Sequence, residues 1–223
     1  MKTPFTRKRL KHHFTYAWWK YLAAVLGCLL VMNLFFSVTS ARPRDDQKVD
    51  LFVYGSTTES LLDAWMENLR AEEFPEQALF DCYSVSSGVT SGVQVFTTRV
   101  AVGDGDLLLI PRETFETFAQ EGLLMPLEEQ PWMAEELSVH HIDPETGYWR
   151  GPDGVRRLYA VPVGQMPVLS SMMLDSETDY YLGVRIRNGN EETVWQVLRF
   201  MLRDLCEGSE TVTLTTLMDT QYQ

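Results

Sequence analysis

From Tyr21 to Val38 the chain is apolar at every position except Asn33 and Ser37. As a helix these 18 residues rise about 27 Å, close to the hydrocarbon thickness of a bilayer. Beyond it the pattern changes to short apolar runs alternating with amphipathic ones. Val49 to Tyr54 reads as a strand, and Gly55-Ser56-Thr57-Thr58-Glu59 follows with a capping-box spacing from Ser56 to Glu59. Leu61, Leu62, Trp65, Met66 and Leu69 then mark a helix. A second strand is expected over Ala78 to Val85. Ser86-Ser87-Gly88 leads from it to a helix over Ser91 to Val102, which the many β-branched residues weaken.

Gly103-Asp104-Gly105 ends that segment. Asp106 to Ile110 reads as a buried parallel strand, and Pro111 opens a helix that packs Phe115, Phe118 and Ala119 and stops at Gly122. Three strand-helix units in succession imply an α/β fold with a mainly parallel sheet flanked by helices. Pro131 to Leu137 is expected as a short helix. Gly151-Pro152-Asp153-Gly154 is a turn between Tyr148-Trp149 and a strand over Val155 to Val161. Met166 to Met173 and Tyr180 to Arg187 are expected as further strands. The clearest helix begins after Asn188-Gly189-Asn190, with Glu191 and Glu192 in its first turn, Val194, Leu198, Met201 and Leu205 on one stripe, and Gly208 as its stop.

Charge divides the chain as sharply as hydropathy does. Residues 1–44 hold 8 of the 19 lysines and arginines and none of the 31 acidic residues, which leaves residues 45–223 with 11 cations against 31 anions, a net charge of −20. Basic residues before an apolar helix stay in the cytoplasm, so the acidic part is expected outside, on a single-pass protein of the cell membrane. So acidic a surface repels phosphate, and a nucleic-acid partner is not expected. The segments are 1–20, a basic cytoplasmic stretch; 21–41, a transmembrane helix or signal anchor; 42–48, a linker; 49–206, the α/β domain; and 207–223, a tail. Thr39-Ser40-Ala41 offers a cleavage site as the alternative to retention. Cys82 and Cys206 are the two cysteines outside the apolar run, and one disulfide between them is possible there without being required.

Val49-Asp50-Leu51-Phe52-Val53-Tyr54-Gly55 is similar to the first strand of the extracellular solute-binding proteins of ABC importers, the type II periplasmic-binding class. Ala101-Val102-Gly103-Asp104-Gly105-Asp106 resembles that family's Gly-Asp-Gly-Pro-Asp stretch, with Gly105-Asp106 where the family has Pro-Asp. Phe115 to Glu129, Arg157 to Val163 and Tyr181 to Leu202 resemble, in the same order, its helix-to-loop segment, hinge strand and late helix. The resemblance implies a role in sugar or small-solute uptake. It also implies two lobes, yet only 17 residues, Gly164 to Tyr180, lie where the second would be, against the roughly 50 that a domain needs. A single periplasmic-binding-protein-like lobe is therefore expected. Its parallel strands would bring Gly55 to Thr58, Ser86 to Val89 and Pro111 to Glu113 to one rim, with Ser56, Thr57, Ser87 and Arg112 as ligand contacts.

Each candidate has a plainer reading. Helix capping explains Ser56, and solvation explains Arg112. Packing explains Tyr148, Trp149 and Tyr159, which otherwise suit stacking on a sugar. His140-His141 beside Asp143 lacks a spaced third ligand, so no metal and no cofactor are expected. The nucleophile elbow, the zincin motif, Cys-x-x-Cys and the phosphate loop are all missing from the sequence, and Asp104/Asp106 or Glu135/Glu136 read as solvated charges, so an enzyme is not expected. The competing expectation is a protein-interaction module with a vestigial ligand site. It would bind a membrane partner through an exposed apolar face.

Overall fold

The computed structural model describes residues 7–39, 47–86, 90–175, 177–186 and 189–207. The linker's residues 42–46, Ser87 and the tail after Glu207 lie outside the described residues. Contacts divide the chain into two units, Met1–Arg42 and Pro43–Gln223.

The first unit is one helix, α1, Arg7–Thr39, of 33 residues. Within it Trp18–Phe36, 19 residues, is the only stretch among the described residues that is long and apolar enough to cross a membrane. Its side chains are exposed throughout, so nothing in the unit itself buries them.

In the second unit the strands are β1 (Lys48–Tyr54), β2 (Leu79–Val85), β3 (Leu107–Pro111), β4 (Tyr148–Arg150), β5 (Arg156–Leu158), β6 (Ala160–Pro162) and β7 (Tyr180–Val184). The helices are α2 (Glu59–Glu73), α3 (Thr90–Val102), α4 (Arg112–Glu121), α5 (Met133–Val139), α6 (Pro167–Met172) and α7 (Glu191–Glu207). Five strands form one sheet in the order β2-β1-β3-β7-β6. β2, β1 and β3 are parallel, with Leu51 opposite both Cys82 and Leu107. β7 runs antiparallel to β3 and to β6, so four strands point one way and one points back.

Strand alternation sorts the core into two layers. Leu51, Val53, Leu107, Leu109 and Leu182 face one side, where α2 and α7 contribute Leu62, Trp65, Met66, Val194, Leu198 and Met201. Phe52, Tyr54, Leu108, Ile110 and Tyr181 face the other, with Phe96 of α3 and Phe115 and Phe118 of α4. That second layer is largely aromatic: Tyr54 stacks on Phe96 at 4.7 Å and Phe115 on Tyr181 at 4.8 Å between ring centroids. Fully burying a large apolar side chain is worth about 1.5–3 kcal/mol, so these two layers carry the stability of the domain.

Four expectations are corrected. Residues 155–161 make two strands, because Arg156–Leu158 pairs with β4 in a hairpin while Ala160–Pro162 joins the main sheet. Residues 166–173 are not a strand: Pro167 stands in the first turn of α6, where its fixed φ suits a helix, and Leu169 and Met172, three apart, both turn into the core. No capping box forms at α2, whose N-cap is Thr58 with no side-chain capping bond; Glu59 instead accepts from the Ser84 amide at 3.2 Å. Glu136 and Asp106 are buried, not solvated. Arg199 Nε donates to Glu136 at 2.5 Å and ties α7 to α5.

The interval 164–180 is a small cap and not a bare crossover. A 3-10 turn at Val163–Gln165 and the six-residue α6 place Val163, Met166, Leu169 and Met172 in the α2/α7 layer. Cys82 and Cys206 are both buried in that layer and are not joined by a disulfide. Burial pushes the Cys82 thiol far up, so it stays protonated.

Candidate ligand-binding rim

The carboxyl ends of β1, β3 and β6 and the start of β7 meet at one edge of the sheet, where Pro111 lies opposite Tyr180 and Pro162 opposite Tyr181. Loops leaving parallel strands at that edge are where ligands bind in open α/β sheets. The cap divides this rim in two.

One part is closed. Thr57 Oγ1 donates to the Met172 carbonyl at 2.9 Å, the Thr58 amide to the same carbonyl at 2.9 Å, and the Leu174 amide to the Ser56 carbonyl at 2.9 Å. Tyr180 lies so close to Gly55 that a Cβ there would fall 2.3 Å from its Oη. Ser56 and Thr57 are thus brought together by the structure, but under the cap, and the Thr57 hydroxyl is committed to holding the cap down.

The other part is open, and Arg112 stands at its centre. Its guanidinium, half exposed, pairs with Glu116 at 3.0 Å, which raises its pKa further above an already high value. Arg112 lines three hollows. One of about 300 Å³ lies between it and Gln165, Ser170, Thr178 and Asp179. A second, of about 710 Å³, is bordered by Tyr54, Thr97 and Thr117. The third, of about 1060 Å³, runs along the β4–β5 hairpin past Tyr148, Trp149, Arg150 and Arg156. Ser56 and Thr57 line none of them.

Of the aromatic candidates, Tyr159 is buried and Trp149 is half-buried with its edge toward Phe115, 6.5 Å between centroids. Tyr148 is covered by the Arg156 guanidinium at 5.0 Å. Trp195 is core. Among the described residues no three His, Cys, Asp or Glu side chains are placed to hold a metal ion. Gln165, Thr178, Asp179, Arg150 and Arg156 were not singled out by the sequence. The arginines carried a readable signal, because they bracket the Gly-Pro-Asp-Gly turn in a segment with few cations.

No protein family matches the chain and no curated protein matches it. Solved structures similar to it include extracellular solute-binding proteins. An extracellular solute-binding protein family 1 member from Alicyclobacillus acidocaldarius matches 55% of this chain and 29% of its own, at 19% identity and a TM-score of 0.39. An ABC substrate-binding protein from Listeria monocytogenes, in complex with cycloalternan, matches 52% of this chain and 28% of its own, at 15% identity and a TM-score of 0.39. The chain therefore spans less than a third of the length of these proteins.

Proposed function

We propose that the protein is a non-catalytic, membrane-tethered binding module, held by α1 with its acidic domain outside the cell, that takes up a small polar solute on an open rim. The observation that supports this best is the meeting of three hollows at one arginine on the carboxyl edge of a one-core lobe. Pockets of about 300–1,000 Å³ with a few convergent polar groups suit small ligands. A sugar fits the polar lining of Gln165, Thr178 and Asp179 in one hollow or the Trp149 surface in another. This domain by itself supplies no closing surface, so its own affinity is modest and capture for an ABC importer would depend on a partner surface that completes the enclosure.

The interaction-module reading draws less support. The rim is edged by Thr146, Gln165, Asp175, Thr178 and Asp179, and the exposed large apolar side chains of the domain are single residues, such as Val139, Val155, Leu174 and Ile186, with three valines on α3.

A thermal-shift panel of mono- and disaccharides and short peptides on the full chain in non-ionic detergent tests the proposal. At least one sugar should raise the melting midpoint by about 2 °C or more, equivalent to roughly 0.5–1 kcal/mol, and Arg112→Ala should abolish that rise. A panel with no stabilising member overturns it. Protease added outside intact cells should remove the domain; protection from it would overturn the orientation.

A further inference from the structure

We infer that the hollow along the β4–β5 hairpin is a site for a carboxylated sugar, so that the solute is an anion although the domain is strongly acidic. The inference rests on the solute-binding reading and adds the ligand's class and place to it. Residues 45–223 carry 11 lysines and arginines against 31 acidic residues, and three of the eleven, Arg112, Arg150 and Arg156, line this one hollow. Two carboxylates oppose them. Glu145, which lines the hollow, takes Arg156 at 2.5 Å, and Glu116 takes Arg112 at 3.0 Å. Among the described residues Arg150 has no carboxylate partner, which leaves the hollow with a surplus cation.

The hairpin register sharpens this. Arg150 and Arg156 are directly opposite across the two strands, so their side chains leave the same face. Like charges directly opposite destabilise a strand pair, and here the offsetting partners, Glu145 and the Tyr148 ring, belong to Arg156 alone. An anion seated between the two guanidinium groups turns that repulsion into a pair of charge-assisted hydrogen bonds. Arg112 begins α4, a ten-residue helix, and sits across the hollow from the hairpin. Half-buried Trp149, on the other face of β4 but also lining the hollow, supplies an aromatic surface for a sugar ring, while Gln120 and Thr146 supply partners for its hydroxyls. A bare inorganic anion would use the charges and leave the indole idle.

The test titrates the full chain in non-ionic detergent with glucuronate, with glucose as its neutral counterpart and with sulfate as the bare anion. Glucuronate should bind at least about tenfold more tightly than glucose or sulfate, and raising NaCl from about 50 to 500 mM should weaken glucuronate while leaving glucose unchanged. Arg150→Gln should bring glucuronate down to the level of glucose and, by removing the opposed pair, raise the melting midpoint of the unliganded chain. Should that variant fail to fold, the salt dependence still decides. Glucose binding as well as glucuronate overturns the inference and leaves the solute-binding reading standing. Sulfate matching glucuronate removes the sugar. If none of the three binds, this site is overturned, and the broader panel alone decides the reading on which it rests.

Discussion

The two edges of the central sheet are built from the same strands and spend their polar groups in opposite ways. At the amino edge every strong group is tied to another. The Asp50 amide donates to Asp106 Oδ2 at 3.0 Å, Asn190 Nδ2 to the same oxygen at 3.1 Å and to the Lys48 carbonyl at 2.7 Å, and Lys48 Nζ reaches Asp50 at 3.1 Å. Arg185 closes the knot, giving Nε to the Gly105 carbonyl and a terminal amine to that of Gly103, both at 2.6 Å. At the carboxyl edge the arginines are exposed, Arg112 and Arg156 each pair with a single carboxylate while Arg150 has none among the described residues, and hollows separate them. Buried, mutually satisfied polar groups hold one arrangement; exposed and partly satisfied ones leave capacity for a ligand. The knot fixes the sheet, and the rim is where chemistry remains to be done.

Breaking the knot should therefore cost most. Asp106→Ala leaves the Asp50 amide and the Asn190 side chain without their shared acceptor inside the fold, and a buried network that loses one charged member loses about 3–5 kcal/mol. Chemical denaturation of the full chain in detergent should show that loss with little change in sugar binding per folded molecule. A cost under about 1 kcal/mol would mean that water replaces the carboxylate and that the edge is not tied as described.

The closed part of the rim gives the next effect. Gly55→Ala sets a methyl 2.3 Å from Tyr180 Oη and 2.7 Å from two of its ring carbons. The expected cost is about 1–3 kcal/mol, the range for overpacking a well-packed site. Tyr180→Phe in the same chain should recover only part of it, since the ring contacts persist. Full recovery would place the whole conflict at the hydroxyl, and no cost at all would show that the cap lifts freely.

These two edges also differ in how far the sequence discloses them. The parallel strands were legible because Leu51, Val53, Leu107 and Leu109 sit in apolar runs that can be buried on both faces. The helix over Glu191–Glu207 was legible from its apolar stripe. That 164–180 is too short for a domain core of its own was legible as arithmetic on its 17 residues. What could not be read was pairing. Nothing local tells Tyr180–Val184 to run antiparallel to β3, or splits 155–161 at Tyr159 between two sheets, because both are settled by partners far along the chain. Asp106 looked like a solvated acid beside Asp104, and only the approach of Asn190, 84 residues away, gives it a buried role. At the rim, Arg112 could be nominated from its place after a parallel strand, whereas Arg150 and Arg156 needed the hairpin register to be set against each other.

The smallest expected effect separates the edges by pH. Burial raises the Asp50 carboxyl above its ordinary value, with Lys48 pulling it back down and Asp106 and Asp81 adding to the rise. The unfolded chain releases that proton near pH ~3.9, so between that value and the raised one the folded state holds a proton that the unfolded state has lost. Stability from this group is present below the unfolded value and disappears as pH climbs through the folded one. Acidifying from neutral toward the carboxylate range should thus raise the melting midpoint, by about 1–3 °C for a domain of this size. Asp50→Asn should flatten the rise, because an amide does not titrate. Lys48→Met should steepen it, because the one cation that favours the charged form is gone. If both variants shift the profile in the same direction, the pH response comes from the general relief of acidic surface repulsion and not from the buried edge. Arg112→Ala, half exposed on the opposite edge, should leave the slope unchanged.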